Sequence, residues 1–331
     1  MAFICFNKRR DRKLRIIVVS IFLSGCVFLV SRNLSISGRK RFLKMKNVTE
    51  PQNMFFFETS GKCYLTSRES CSIESAAKYH PTNRIQLFYA CSNESQLKND
   101  ELFQLVSQIE NVEVKSLNFT YLFSGTPLAK WYQSDIFNLT IHKTAFLSDG
   151  LKYVMLGKYG GVAIDSDCIT RKPLPNLPAY AGFQTSITVN NAVIKAQKGS
   201  PFLVECMERF LTEYNSSIWG FVGPALVTRI FREACKRENK YFAPGFTCYG
   251  VHLFPLPAFY PIHFSQRKLF FDPNVSESLN EIWKDSYMVH IWNNAVQRQQ
   301  FKPGDGSPMD HLYKDNCPIT YSYIVKQGVG E

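Results

Sequence analysis

The chain has 331 residues, 45% apolar, 20% charged and 14% aromatic, which allows a sizeable buried core and excludes a disordered or collagen-like polymer. The net charge of +12 sits almost entirely in one place: residues 1–50 hold 12 Lys/Arg against Asp11 and Glu50, and the remainder holds 27 basic against 25 acidic residues. The bulk of the chain is nearly neutral, so no nucleic-acid footprint is expected.

The basic start predicts a membrane anchor. Lys8, Arg9, Arg10, Arg12, Lys13 and Arg15 precede the run Ile16–Val30. With Leu14 that run reaches about 17 apolar residues, the short end for a spanning helix. Its positive flank predicts a cytoplasmic tail over 1–13, an uncleaved signal anchor over 14–30 and a lumenal bulk. Residues 31–52 read as a polar stem, and 53–331 as one lumenal catalytic domain. Seven Asn-x-Ser/Thr sequons, at Asn33, Asn47, Asn93, Asn118, Asn138, Asn215 and Asn274, agree with a lumenal location and predict surface loops. So do eight cysteines beyond the anchor, whose spacing allows disulfides without giving their pairing.

In chain order, the run Met54–Thr59 predicts a buried strand, Ser72–Tyr79 a helix, and Arg84–Ala90 and Val112–Leu117 further strands. His142–Tyr159 is the clearest helix, with Leu147, Leu151, Val154 and Met155 on one apolar face. Gly160-Gly161 ends it, and Val162–Ile164 follows as a strand. Pro201–Tyr214 and Pro224–Lys236 predict helices with proline in the first turn. Leu253–Pro261 reads as an ordered loop and Tyr287–Trp292 as a strand. Strands alternating with helices indicate a layered α/β domain.

Chemistry concentrates at Asp165-Ser166-Asp167. Carboxylates at i and i+2 project to one side in extended geometry, and strand ends of open α/β sheets are where ligands bind. Two hard oxygen donors there suit Mg²⁺ or Mn²⁺ with a diphosphate. The plain alternative is an Asp-x-Asp turn cap. Asp149 and Lys152 stand at i, i+3 on the polar side of their helix, where a solvated salt bridge is the ordinary account. His290, in a short apolar strand beside Trp292, reads either as a core histidine or as a ligand.

In sequence order, the blocks Phe55–Ser60, Cys71–Lys78, Leu147-Ser148-Asp149, Lys158–Gly161 with Asp165-x-Asp167, Ile218-Trp219-Gly220, Gly223-Pro224, Thr228-Arg229, Phe259–Ile262 and Val289–Asn293 resemble the α-1,4-galactosyltransferase and α-1,4-N-acetylglucosaminyltransferase family. The resemblance covers about residues 53–320. It implies a GT-A fold, a Rossmann-like mixed sheet flanked by helices. It also implies a Golgi type II enzyme, with Mn²⁺ held by Asp165, Asp167 and His290. The reaction it implies is retaining transfer of galactose or an N-acetylhexosamine from a UDP-sugar, in α-1,4 linkage, to a glycolipid such as lactosylceramide. Asp149 would contact the donor sugar, with Lys152 in the catalytic pair. Phe57, Glu58 and Thr59 would lie by the uridine, and Asn190, Trp219 and Gly223 would line the donor and acceptor sites. A homo-oligomer is compatible with this reading.

The chain departs from the family pattern at Lys152, where arginine is usual, at Ala163 for tyrosine, at Asn191 for glycine, and at Phe221-Val222 for His-Gln. These departures motivate an alternative expectation, a catalytically weak or inactive member acting as a Golgi partner subunit.

Overall fold

The apolar run that opens the folded part becomes a central strand. A computed structural model describes residues 52–328 and residue 330. The predicted tail, anchor and stem lie outside the described residues except for Gln52, and no helix among the described residues is long and apolar enough to cross a membrane. The strands are β1 (Asn53–Glu58), β2 (Arg84–Tyr89), β3 (Val112–Ser116), β4 (Gly161–Ile164) and β5 (Cys168–Thr170). They continue with β6 (Tyr180–Phe183), β7 (Val189–Ala196), β8 (Thr247–Cys248), β9 (Val251–Phe254) and β10 (Met288–His290). Eight of them form one mixed sheet in the order β3-β2-β1-β4-β7-β6-β9-β8. β3, β2, β1 and β4 run parallel, and β7 turns antiparallel against β4. β5 and β10 form a separate antiparallel pair.

Helices cover both faces of the sheet. α1 (Ser67–Tyr79) lies on one side, and α2 (Lys143–Tyr159), α3 (Pro201–Thr212) and α4 (Pro224–Arg237) on the other. In β1, Phe55 and Phe57 join the core under α2, while Met54 and Phe56 face the opposite core, as strand alternation requires. A strand buried on both faces reads as a continuous apolar run, which is why β1 was legible. Gly160 ends α2 at φ 67°, and Gly161 enters β4 at φ 123°. A Cβ on Gly161 would overlap the Asn53 carbonyl of β1, so glycine is what lets β4 lie against β1.

α1 starts five residues earlier than the sequence suggests. Thr66 and Glu69 form a capping box: the Glu69 N–H donates to Thr66 Oγ1 at 3.3 Å, and Glu69 Oε2 accepts from the Thr66 N–H at 2.9 Å. The first turn carries buried Ser67, Arg68 and Glu69, whose polarity hides it from an apolar-period reading. Polar groups of α1 also meet the C-terminal helices α5 (Pro308–Asn316) and α6 (Pro318–Gln327): Ser67 Oγ lies 3.4 Å from Tyr313 Oη of α5. Glu74 accepts from the Ile319 and Thr320 N–H groups at 2.7 and 2.8 Å, satisfying the first turn of α6. Cys71 is bonded to Cys317, with Cys63–Cys91 and Cys235–Cys248 as the other described disulfides.

Two expectations are corrected. The segment Leu253–Pro261 is not wholly loop: its first residues extend β9, which pairs in parallel with β6. Its prolines follow the strand and start a short 3₁₀ turn, Leu256–Ala258. α2 is not a half-exposed amphipathic helix. Its residues from Phe146 to Leu156 are buried except Ser148, so its polar residues lie inside the protein. Of the described sequons, Asn93, Asn118, Asn138 and Asn274 are exposed and Asn215 is half-buried.

Candidate active site

The site forms where α2, the β4–β5 turn, β7 and the loop before α4 meet. Because α2 is buried, Asp149 and Lys152 are only 7% and 2% exposed, which overturns the solvated salt-bridge account. Lys152 Nζ lies 3.0 Å from Asp149 Oδ1 and 2.7 Å from Asp165 Oδ1, one cation between two carboxylates. Burial pulls the Lys152 pKa down, but Asp165 and Asp149 together hold it above the ordinary lysine range. The Asp165 carboxyl is pushed up by loss of water and by the nearby Asp167 charge, against the opposing pull of Lys152.

Asp165 and Asp167 do not sit on an extended strand. β4 ends at Ile164, and the Cys168 N–H closes a turn on the Asp165 carbonyl at 3.0 Å. The Asp165 N–H donates to Ala192 O of β7 at 2.7 Å, so the turn is pinned to the sheet. Ser72 of α1 donates to the Cys168 carbonyl at 2.8 Å from below. A tight turn, and not strand alternation, carries the two carboxylates, Asp165 toward Lys152 and Asp167 toward His290 and Asn293.

β10 supplies the wall beyond Asp167. His290 Nε2 lies 3.3 Å from Asp167 Oδ1, and the Asn293 N–H donates to Asp167 Oδ2 at 2.8 Å. That N–H is aimed by Trp292, a non-glycine residue at φ 58° and ψ 46°, whose indole N–H donates to Ile262 O at 2.8 Å. The Trp292 N–H donates to His290 Nδ1 at 3.3 Å. A neutral ring accepting there carries its proton on Nε2, facing Asp167. His290 Nε2 thus faces the Asp167 carboxylate; as a metal ligand through Nε2 the neutral ring would carry its proton on Nδ1 instead. Cys168, whose Sγ joins Asp167 and His290 in a group within 4.8 Å, is a fully buried thiol with its pKa pushed well up by burial. A protonated soft donor of this kind suits Mg²⁺ or Mn²⁺ poorly, whereas the carboxylates of Asp165 and Asp167 suit them well.

The remaining predicted residues divide. Gly223 packs on Asp149: a Cβ there would overlap Asp149 Oδ2. Glu58 ends β1 with Oε1 held by the Ser60 N–H at 2.9 Å, while its buried Oε2 has no partner among the described residues. Thr59 donates to Thr144 O at 2.8 Å, tying β1 to the start of α2. Phe57 is packed against Phe55 and Phe88 in the core. Asn190 is occupied locally, donating to Gln184 and accepting from the Ala192 N–H at 2.8 Å. Trp219 is 57% exposed, in a T-shaped contact with the His142 ring.

Three participants carry no sequence signal of their own. Tyr153 sits one turn past Asp149 and donates to Val222 O at 2.9 Å. Asn293 contributes only a backbone N–H. Asn191, noted only as a departure, donates to Asp149 Oδ1 at 2.8 Å.

Comparisons with known proteins agree with this geometry. Residues 66–184 match the model of a glycosyltransferase sugar-binding region containing the DXD motif, which takes in Asp165-Ser166-Asp167. Residues 195–324 match the alpha 1,4-glycosyltransferase conserved region. Lactosylceramide 4-alpha-galactosyltransferase of Mus musculus is 32% identical over 281 residues, 84% of this chain and 78% of its own. Alpha-1,4-N-acetylglucosaminyltransferase of Homo sapiens is 29% identical over 308 residues, 92% and 88% of the two chains. Among solved structures, PaToxG glycosyltransferase aligns over 84% of this chain and 88% of its own at 16% identity and a TM-score of 0.44, too distant to bear on the site. A charged cluster at a strand end, a DXD turn inside a matched sugar-binding region and relatives spanning most of the chain converge: this protein belongs to the alpha-1,4-glycosyltransferase family and is a hexosyltransferase.

Proposed function

We propose that this chain transfers galactose or an N-acetylhexosamine from a UDP-sugar to the terminal sugar of a glycolipid, in α-1,4 linkage and with retention. The observation that carries the reading is Lys152 held between Asp149 and Asp165, with Asp167 alongside. Asp165 and Asp167 would hold a divalent cation, Mn²⁺ in this reading, which would neutralise charge on the departing diphosphate. Lys152 keeps Asp149 and Asp165 at fixed separation from a single charge. Asp149, with Oδ1 already bonded, offers Oδ2 to a sugar hydroxyl. Glu58 Oε2, also unpartnered, faces the end of β1 and supports a donor contact there.

The acceptor hydroxyl attacks the anomeric carbon as its bond to the diphosphate oxygen breaks. The proton passes to that departing oxygen on the same face, so no side chain need serve as base. The work of the protein is positioning and electrostatics. The name of the Mus musculus relative favours a glycolipid acceptor; the basic flank and apolar run support residues 14–30 as a membrane anchor, in the Golgi as the family resemblance implies.

The test is UDP release by the detergent-solubilised full chain from UDP-galactose, UDP-N-acetylgalactosamine, UDP-N-acetylglucosamine and UDP-glucose. Each donor is run with Mn²⁺ or chelator, with and without lactosylceramide. The expected result is metal-dependent release from one donor, stimulated by the lipid. Folded protein silent on all four donors would overturn the reading in favour of a partner subunit. A trapped covalent sugar–protein adduct would overturn the same-face mechanism.

A further inference from the structure

Asp149 is surrounded by three segments that meet nowhere else in the site. Asn191 on β7 is 1% exposed and donates through Nδ2 to Asp149 Oδ1 at 2.8 Å and to Tyr153 Oη at 3.3 Å. Tyr153 passes its own proton to Val222 O at 2.9 Å. The next residue, Gly223, closes against the other oxygen, Asp149 Oδ2. The chain Val222–Tyr153–Asn191–Asp149 is thus a closed loop of contacts joining the pre-α4 loop, α2 and β7. A buried amide with its N–H groups spent on one carboxylate and one phenol is a strongly directed arrangement.

Lys152 already bonds Asp149 Oδ1, yet it also serves Asp165, so charge alone does not fix which way the Asp149 carboxylate turns. The amide of Asn191 does. It adds a second donor on Oδ1, leaving Oδ2, beside Gly223, as the oxygen without a hydrogen-bond partner among the described residues. It does so without adding charge, so the Lys152 ammonium stays shared between the two carboxylates. The adjacent residue pins the backbone of the other, since Ala192 O accepts the Asp165 main-chain N–H.

We propose that Asn191 is a positioning residue that sets the orientation of Asp149 toward the donor sugar, and through it the discrimination among UDP-sugars. This inference rests on the reading of Asp149 as a donor-sugar contact. Its signature is selective: recognition of the sugar depends on Asn191, and recognition of UDP does not.

The experiment measures binding of UDP and of the preferred UDP-sugar from the four-donor panel, each with Mn²⁺, to the solubilised full chain. The variants are Asn191→Ala, Asp149→Asn, their combination, and Tyr153→Phe, which keeps the ring and removes only the hydroxyl beside Asn191. Asn191→Ala should weaken UDP-sugar binding about tenfold, the size of effect typical of outer-shell partners, with UDP affinity unchanged within about twofold. The double variant should match Asp149→Asn alone, because both act on one contact. Tyr153→Phe should shift UDP-sugar binding in the same direction by less, which keeps the inference testable if Asn191→Ala does not fold. Equal weakening of UDP and UDP-sugar, or additivity with Asp149→Asn, would overturn it. A wild-type chain that binds UDP-sugar no tighter than UDP would overturn the sugar-contact reading of Asp149 together with this inference. A wild-type preference that survives both Asn191→Ala and Tyr153→Phe would overturn this inference alone.

Discussion

α1 and α2 are both buried on most sides, and each carries a carboxylate in its middle, but the two carboxylates are used differently. Glu74 of α1 has both oxygens consumed by α6: Oε1 takes the Ile319 N–H, and Oε2 takes the Thr320 N–H and hydroxyl. Asp149 of α2 has one oxygen consumed, by Lys152 and Asn191, and one beside Gly223 with no hydrogen-bond partner among the described residues. A buried charge whose acceptors are all filled by backbone is part of the scaffold. A buried charge held firmly at one oxygen and free at the other is poised for a ligand, because the cost of its burial is met on one side only. Glu58, with Oε1 bonded and its buried Oε2 without a partner among the described residues, falls on the α2 side of this divide.

The comparison is sharpened by variants that separate activity from stability. The largest expected effect is on turnover. Asp167→Asn removes a metal-binding carboxylate while keeping an oxygen for the Asn293 N–H. We expect UDP release to fall by about 10²–10³, the range for loss of one preorganised electrostatic contact, with melting temperature nearly unchanged. Lys152→Met should damage both properties. It leaves buried Asp149 uncompensated and half-buried Asp165 without its partner, a loss of about 3 kcal/mol in unfolding free energy with activity abolished. Chemical denaturation beside the UDP-release assay reads both.

On the α1 side the expected loss is in stability alone. Glu74→Ala strands two amides and a hydroxyl at the head of α6, costing about 1–3 kcal/mol, with turnover per folded molecule unchanged. Burial holds the Glu74 pKa above its ordinary value despite the opposing hydrogen bonds. The folded state thus binds the proton more tightly than the unfolded chain. Stability from this group is lost as pH rises from the ordinary glutamate value through the raised one. Melts from about pH 4 to 7 should show that decline in the wild type and its absence in Glu74→Gln. A decline of the same size in both would mean Glu74 is not the titrating group.

The same divide explains what the sequence made legible. β1 was readable because a strand buried on both faces shows an unbroken apolar run, β2 because its residues alternate like a strand, and α2 by its length and its Gly-Gly stop. Asp165 and Asp167 carried motif spacing and Asp149 entered only through the family resemblance; the structure joins Asp149 to Asp165 through Lys152. β7, the longest strand, went unread: Val189–Ala196 interleaves Asn190, Asn191 and Lys195 with apolar residues, and two of those polar groups are spent inside the protein. No local pattern announces an amide whose partner is 42 residues away. For the same reason the first turn of α1 was missed, since its buried Arg68 is bonded to Asn293 and to the Val296 carbonyl far along the chain. Polar residues that serve tertiary contacts look like surface until their partners are known.

Trp219 tests the divide at its outer edge, with the smallest expected change in stability. It is an aromatic side chain 57% exposed, in a T-shaped contact with the His142 ring, yet the chain runs from it through Gly220, Phe221 and Val222 to Gly223 on Asp149. A scaffold role would require burial, which Trp219 lacks, so Trp219→Ala should alter unfolding free energy by no more than about 0.5 kcal/mol. An acceptor contact makes a different demand: an aromatic face left open to solvent in the free protein and covered by a sugar ring in the complex. We therefore expect KM for lactosylceramide to rise about fivefold, a loss of roughly 1 kcal/mol of the kind aromatic contacts supply, with UDP-sugar hydrolysis in the absence of acceptor unchanged. A fall in acceptor-free hydrolysis would move Trp219 to the donor side of the site. An unchanged KM would make it a surface residue with no part in recognition, and the acceptor groove would then have to be sought on the β10 side, beyond Trp292.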